Sequence, residues 1–70
     1  MTVEEFLINS NSKDHPVEIV TYNGDAFNCL CINYNYRTHN YSFNDIPLSL
    51  RNREVLSTLT LENGNWLIEV

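Results

Sequence analysis

Cys29 and Cys31 stand two residues apart, and with His15 and His39 they are all the thiols and imidazoles in the chain. Nucleophilic catalysis and metal centres are built from these residue types. Their spacing here serves neither. On a strand both cysteines face the same way, and two such neighbours make a poor disulfide. One Cys-x-Cys pair lacks the second pair of a structural zinc site, and both histidines fall in apparent loops outside any ligand repeat. Cys–His catalysis needs an exposed thiolate beside an imidazole, whereas mid-strand cysteines are usually inert core. The expectation is two reduced thiols in a strand, with no metal and no cofactor. Glu4 and Glu5 are adjacent, so on a helix they diverge and cannot act as an acid–base couple. Neither a nucleophile elbow nor a phosphate-cradling glycine loop is present. The sequence therefore reads as a protein that is not an enzyme.

Binding chemistry is better represented. Tyr34, Tyr36, Tyr41 and Phe43, with Arg37 and His39 among them, gather stacking and cationic groups in one segment. Aromatics beside a basic residue grip single-stranded nucleic acid, and Tyr with Arg is also the composition of a protein-binding hot spot. The bland account has Tyr34 and Phe43 filling the core while Tyr36 and Tyr41 rim it. Net charge orders the two binding readings. Nine acids against four bases give −5, which repels a phosphate backbone and suits a basic protein surface. Direct nucleic-acid binding is thus disfavoured. The acids Asp14, Glu18, Asp25, Asp45, Glu54, Glu62 and Glu69 are spread over strands and turns, where a row of carboxylates could imitate phosphates. The ordinary meaning of such a spread is a solvated face. The candidate partner-binding set is Tyr34, Tyr36, Arg37 and Tyr41, joined by Asp25, Asp45 and Glu62.

The elements that would position these groups are marked by the two glycines, in Asn23-Gly24 and Asn63-Gly64. Asn-Gly between apolar runs is a strong hairpin signal, because turn residues there adopt positive φ. Thr2-Val3-Glu4-Glu5 fits a capping box, opening a short helix with Val3, Phe6 and Leu7 on one face. Too short to persist alone, it must dock on a sheet. Residues 17–22 and 27–36 read as the first hairpin. Its register stays open between pairing Val17 with Leu30 and pairing Ile19 with Cys29. In the longer strand Asn33 and Asn35 point to a solvent-exposed end. Residues 37–45 read as a loop, and Pro47 at a first helical position would open a brief helical turn. A two-residue Asn63-Gly64 loop would pair Leu61 with Trp66, Leu59 with Ile68 and Ser57 with Val70, gathering the apolar set on one face.

The predicted fold is α+β: a short N-terminal helix packed on an antiparallel sheet of about four strands built from two β-hairpins. Residues 1–70 form a single small domain, of a size that buries roughly 60% of its unfolded surface. The acidic start lacks the basic region of a signal peptide, and no apolar run is long enough to span a bilayer, so a cytoplasmic location is expected.

Three segments, Thr2-Val3-Glu4-Glu5-Phe6-Leu7, residues 47–50 followed by Asn52-Arg53-Glu54-Val55, and Trp66-Leu67-Ile68-Glu69-Val70, resemble small acidic proteins encoded by phages and mobile elements of low-GC Gram-positive bacteria. The resemblance covers under half the chain, and residues 33–45 have no counterpart in it. It implies an inhibitor of host defence, anti-CRISPR-like, acting in the host cytoplasm on a host protein or ribonucleoprotein complex, in part as a DNA mimic. It carries over no functional residue. Two other readings are a single-stranded nucleic-acid-binding module and a homo-oligomeric structural protein joined through a sheet edge. The expected state is a monomer or small homo-oligomer.

Overall fold

The computed structural model describes residues 1–10, 16–24, 26–35, 37, 38, 40–62 and 64–70. Helix α1 spans Val3–Asn9 and opens on the expected capping box. The Glu5 amide donates to the Thr2 hydroxyl at 3.2 Å, and the Thr2 amide donates to the Glu5 carboxylate at 3.2 Å. That reciprocal pair satisfies two of the amides a helix start leaves without partners. The helix is held in place from both sides. Its first residues bridge to the chain just ahead of the last hairpin, through Val3 N–H to the Arg53 carbonyl and Val55 N–H to the Met1 carbonyl, both 2.9 Å. Its apolar face meets the sheet, where Phe6 stands edge-on to Trp66 with ring centroids 5.2 Å apart.

Strands β1 (Val17–Asn23) and β2 (Ala26–Ile32) form the first hairpin, and β5 (Ser57–Thr60) and β6 (Trp66–Glu69) form the second. Between them lie a two-residue ladder of β3 (Tyr34–Asn35) with β4 (Asn40–Tyr41), a 3-10 turn at Phe43–Asp45, and a single helical turn, α2 (Leu48–Arg51). The four long strands make one sheet in the order β2-β1-β6-β5. The α+β class, the docked N-terminal helix and the two hairpins are as the sequence predicts. The sheet is mixed rather than wholly antiparallel, because the two hairpins join through a parallel β1–β6 ladder pairing Val17 with Trp66 and Ile19 with Ile68. Nothing local specifies that junction. It places at the sheet centre the two strands that carry the fully buried Val17, Ile19, Val20 and Ile68.

Both hairpin registers differ from the expected ones. In the first, Gly24 takes φ +67° in the turn while residues 23 and 26 pair, so the loop sits one residue later than Asn23-Gly24 implies. A β-bulge then intervenes, with Val20 opposite Cys29 but Ile19 opposite Cys31, leaving Leu30 as the extra residue. Neither register considered for this hairpin is adopted. In the second hairpin, the Leu61 amide donates to the Asn65 carbonyl at 2.8 Å and the Gly64 amide to the Leu61 carbonyl at 2.9 Å. The loop therefore runs over residues 62–64 and is closed by Gly64 at φ +86°. The ladder slips by one against the expected pairing, so Leu59 faces Leu67, Thr58 faces Ile68 and Ser57 faces Glu69. A three-residue loop uses Asn-Gly as readily as a two-residue one, and one extra residue exchanges the faces of β5.

The core lies between α1 and one face of the sheet, from Val3, Leu7, Val17, Ile19, Ile46, Ile68 and Val70. Phe43, Leu50 and Val55 pack against the same cluster, so the long connection from β2 to β5 covers the face that α1 covers. Pro47 is the cap rather than the first residue of α2, and its carbonyl receives the Leu50 and Arg51 amides at 2.9 and 3.0 Å. Asn33 overturns its expected exposure: it is only 3% exposed. Its Oδ1 accepts the Val17 amide at 2.7 Å, while its backbone N–H donates to the Val17 carbonyl at 3.2 Å. The side chain thus closes the ladder where β2 ends. Among the described residues no helix is long and apolar enough to cross a membrane.

Candidate functional site

The tyrosine-rich segment becomes the β3–β4 ladder, which sets Tyr34 directly opposite Tyr41. Their ring centroids are 6.2 Å apart, and the planes are tilted by 39°. Tyr34 is half-buried and Tyr41 exposed, while Arg37 is exposed in the turn that joins the two strands. Phe43 has another task. It packs against the core, and the Arg51 guanidinium lies over its ring at 5.0 Å while reaching Glu4 at 3.7 Å. Arg51 thereby ties α2 to the 3-10 turn through a cation–π contact and to α1 through a long ion pair.

The predicted acids do not join the tyrosines as one described cluster. Asp45 is exposed at the end of the 3-10 turn, where its backbone carbonyl lies 3.9 Å from the Cys31 sulfur. Glu62 is exposed in the loop of the second hairpin. Tyr36 and Asp25 lie outside the described residues, as do His15 and His39. The structure thus places two tyrosines together with Arg37 in their connecting turn, and assigns Asp45 and Glu62 to other elements.

The bulge at Leu30 also decides the thiols. With Cys29 opposite Val20 and Cys31 opposite Ile19, the two cysteines take opposite sides of the sheet, against the expectation of a shared face. Cys29 is exposed, and Cys31 packs on the core. Burial, reinforced by nearby Cys29 and Asp45, pushes the Cys31 thiol above its ordinary range. A raised thiol is a poorer source of thiolate. Among the described residues no three His, Cys, Asp or Glu side chains converge to hold a metal ion.

The face of the sheet turned away from α1 was not anticipated. Two lines of paired residues cross it. Leu59, Leu67, Glu18 and Ile32 form one, and Ser57, Glu69, Val20 and Cys29 form the other. Beyond them Tyr22 meets Phe27 edge-on at 5.4 Å. Val20, on this face, is completely buried, yet it stands outside the helix-side core cluster. Tyr22, Phe27, Ile32 and Leu59 are each about half exposed, at 52, 51, 46 and 57%. The adjacent apolar pair Ile19-Val20 was the available signal, since a strand with only one covered face alternates.

No protein-family model, curated protein or solved structure matches the chain.

Proposed function

We propose that this chain is a non-catalytic, acidic protein-binding module, acting as a phage- or mobile-element-type inhibitor of a host nucleic-acid-handling complex, anti-CRISPR-like. The observation that carries the reading is the combination of a net charge of −5 with large apolar side chains left exposed on the sheet, including Tyr22, Phe27, Ile32 and Leu59. Apolar exposure of this kind marks protein contacts, and the charge directs them toward basic partners rather than phosphates. Proteins that handle nucleic acids present basic grooves, so an acidic module fits them electrostatically.

The test is affinity capture with the full chain from lysate of a low-GC Gram-positive bacterium, followed by a nuclease assay on the captured complex. A stoichiometric complex with a nucleic-acid-handling enzyme, and slower cleavage in the presence of the chain, is the expected result. Failure to retain any partner, or unchanged cleavage by the retained one, contradicts the proposal. A second reading rests on the Tyr34–Tyr41 pair and Arg37, which have the composition of a single-strand stacking platform. Oligonucleotide titration at low salt separates the two, because electrostatic binding is strongest there.

A further inference from the structure

We propose that the sheet face opposite α1 is the docking surface, built from Tyr22, Phe27, Ile32 and Leu59 around Glu18 and Glu69, and that it receives an apolar protein surface bearing Lys or Arg. The inference rests on the protein-binding reading above and assigns it a location and a partner chemistry. The location is not the tyrosine hairpin.

Exposed area comes first. At about half exposure, the four apolar side chains present roughly 400 Å², within the range of the largest apolar patches on monomers and close to a tenth of the 4599 Å² total surface. The patch is continuous across all four strands, since Leu59, Leu67, Glu18 and Ile32 form one cross-strand line.

Charge then selects the occupant. Glu18 and Glu69 lie half-buried within this apolar surface, and neither has an ion-pair partner among the described residues. The Glu69 carboxylate accepts the Ser57 hydroxyl at 2.6 Å. None of the four strands carries a Lys or Arg. Covering this face with an apolar surface alone would strip water from two carboxylates without replacing it, a costly step. A second copy would bring four carboxylates and no strand cation to the junction, because a two-fold interface apposes the same patch on each subunit. A cationic, apolar partner supplies what both alternatives lack.

The test uses a model peptide of alternating Leu and Lys, titrated into the 15N-labelled chain, with a Leu–Glu peptide of the same length as control. The expected result is amide shifts at β1, β2, β5 and β6 positions of this face with the Leu–Lys peptide only. Binding should weaken as salt rises, and E18Q/E69Q should bind the peptide roughly two- to tenfold more weakly while keeping its own spectrum folded. Shifts centred on Tyr34 and Tyr41, equal binding of both peptides, or undiminished binding by E18Q/E69Q overturns the proposal. So does a concentration-dependent dimer in sedimentation that L59K abolishes, since the occupant would then be a second copy. The two claims fail separately. If a captured partner stays bound to an F27S/L59K chain, this surface assignment is wrong and the inhibitor reading stands. If the native chain captures nothing, the inhibitor reading is wrong, and the peptide titration still reads the face.

Discussion

Replacing Asn33 with alanine should remove a disproportionate share of the stability of this protein. Asn33 follows β2, where the antiparallel ladder has lost its last backbone acceptor, and its Oδ1 takes the Val17 amide at 2.7 Å in a setting only 3% exposed. Truncation leaves that buried amide without an acceptor, which costs about 1–3 kcal/mol. The Asn33 Nδ2 has no partner among the described residues, so deleting it recovers part of its own desolvation penalty and places the net cost near 1–2 kcal/mol. A domain of this size holds roughly 4–10 kcal/mol in total, so the loss is a substantial fraction. Thermal unfolding by circular dichroism should show Tm lowered by about 5–15 °C. N28A, an exposed position within β2, should stay within about 0.5 kcal/mol of the parent. Hydrogen exchange at the Val17 amide should accelerate in N33A. If N33A unfolds together with N28A and the Val17 amide stays protected, the account of how β2 terminates is wrong.

The register of the second hairpin is checked by contrast: L59K should change stability by less than about 0.5 kcal/mol in urea denaturation, whereas I68A, fully buried opposite Thr58, should cost about 2–5 kcal/mol. In the register expected from a two-residue turn, L59K would instead place an ammonium beside Ile68 and be severely destabilising. T2A, which removes a helix cap, should cost about 1 kcal/mol at neutral pH in the same assay. The Thr2 amide and then the Thr2 hydroxyl hold the Glu5 carboxyl below its ordinary value of 4.5. A depressed carboxyl stabilises the fold above its unfolded value and loses that contribution as pH falls through its folded value. The stability gap between the parent and E5A should therefore narrow on acidification from pH 6 to pH 3. Alkylation by iodoacetamide at pH 8, read by mass spectrometry, should modify Cys29 well before Cys31, because Cys31 is packed on the core and its thiol is pushed up by burial. Equal rates would contradict the split of the two thiols across the sheet.

Much of the architecture could be read from the chain because its signals are local. Thr2 and Glu5 are three residues apart and form their capping box as the pattern requires. Gly24 and Gly64 both take positive φ at the hairpin turns. The registers escaped because an extra loop residue or a bulge changes pairing without changing composition: Gly64 closes a three-residue loop, and Leu30 is inserted against β1. The parallel β1–β6 ladder escaped for the opposite reason, since it joins residues 17–20 to residues 66–69 with no local marker. The exposure expected of Asn33 fails because polarity alone does not separate a solvated side chain from one that replaces a backbone acceptor. The same slips concealed the second sheet face. Once β5 is moved by one residue, Leu59 leaves the core and joins Ile32 across Leu67 and Glu18. Of the predicted partner-binding residues, Tyr34 and Tyr41 are neighbours because they pair across a short ladder. Asp45 and Glu62 belong to other elements, and Tyr36 and Asp25 lie outside the described residues.

The most direct test of the account is hydroxyl-radical footprinting of the chain free and in its captured complex, read residue by residue by mass spectrometry. Binding through the uncovered sheet face predicts that oxidation of Tyr22, Phe27, Ile32 and Leu59, exposed in the free chain, is suppressed in the complex while Tyr41 stays reactive. Protection centred on Tyr34 and Tyr41, with Phe27 and Leu59 as reactive as before, would contradict it.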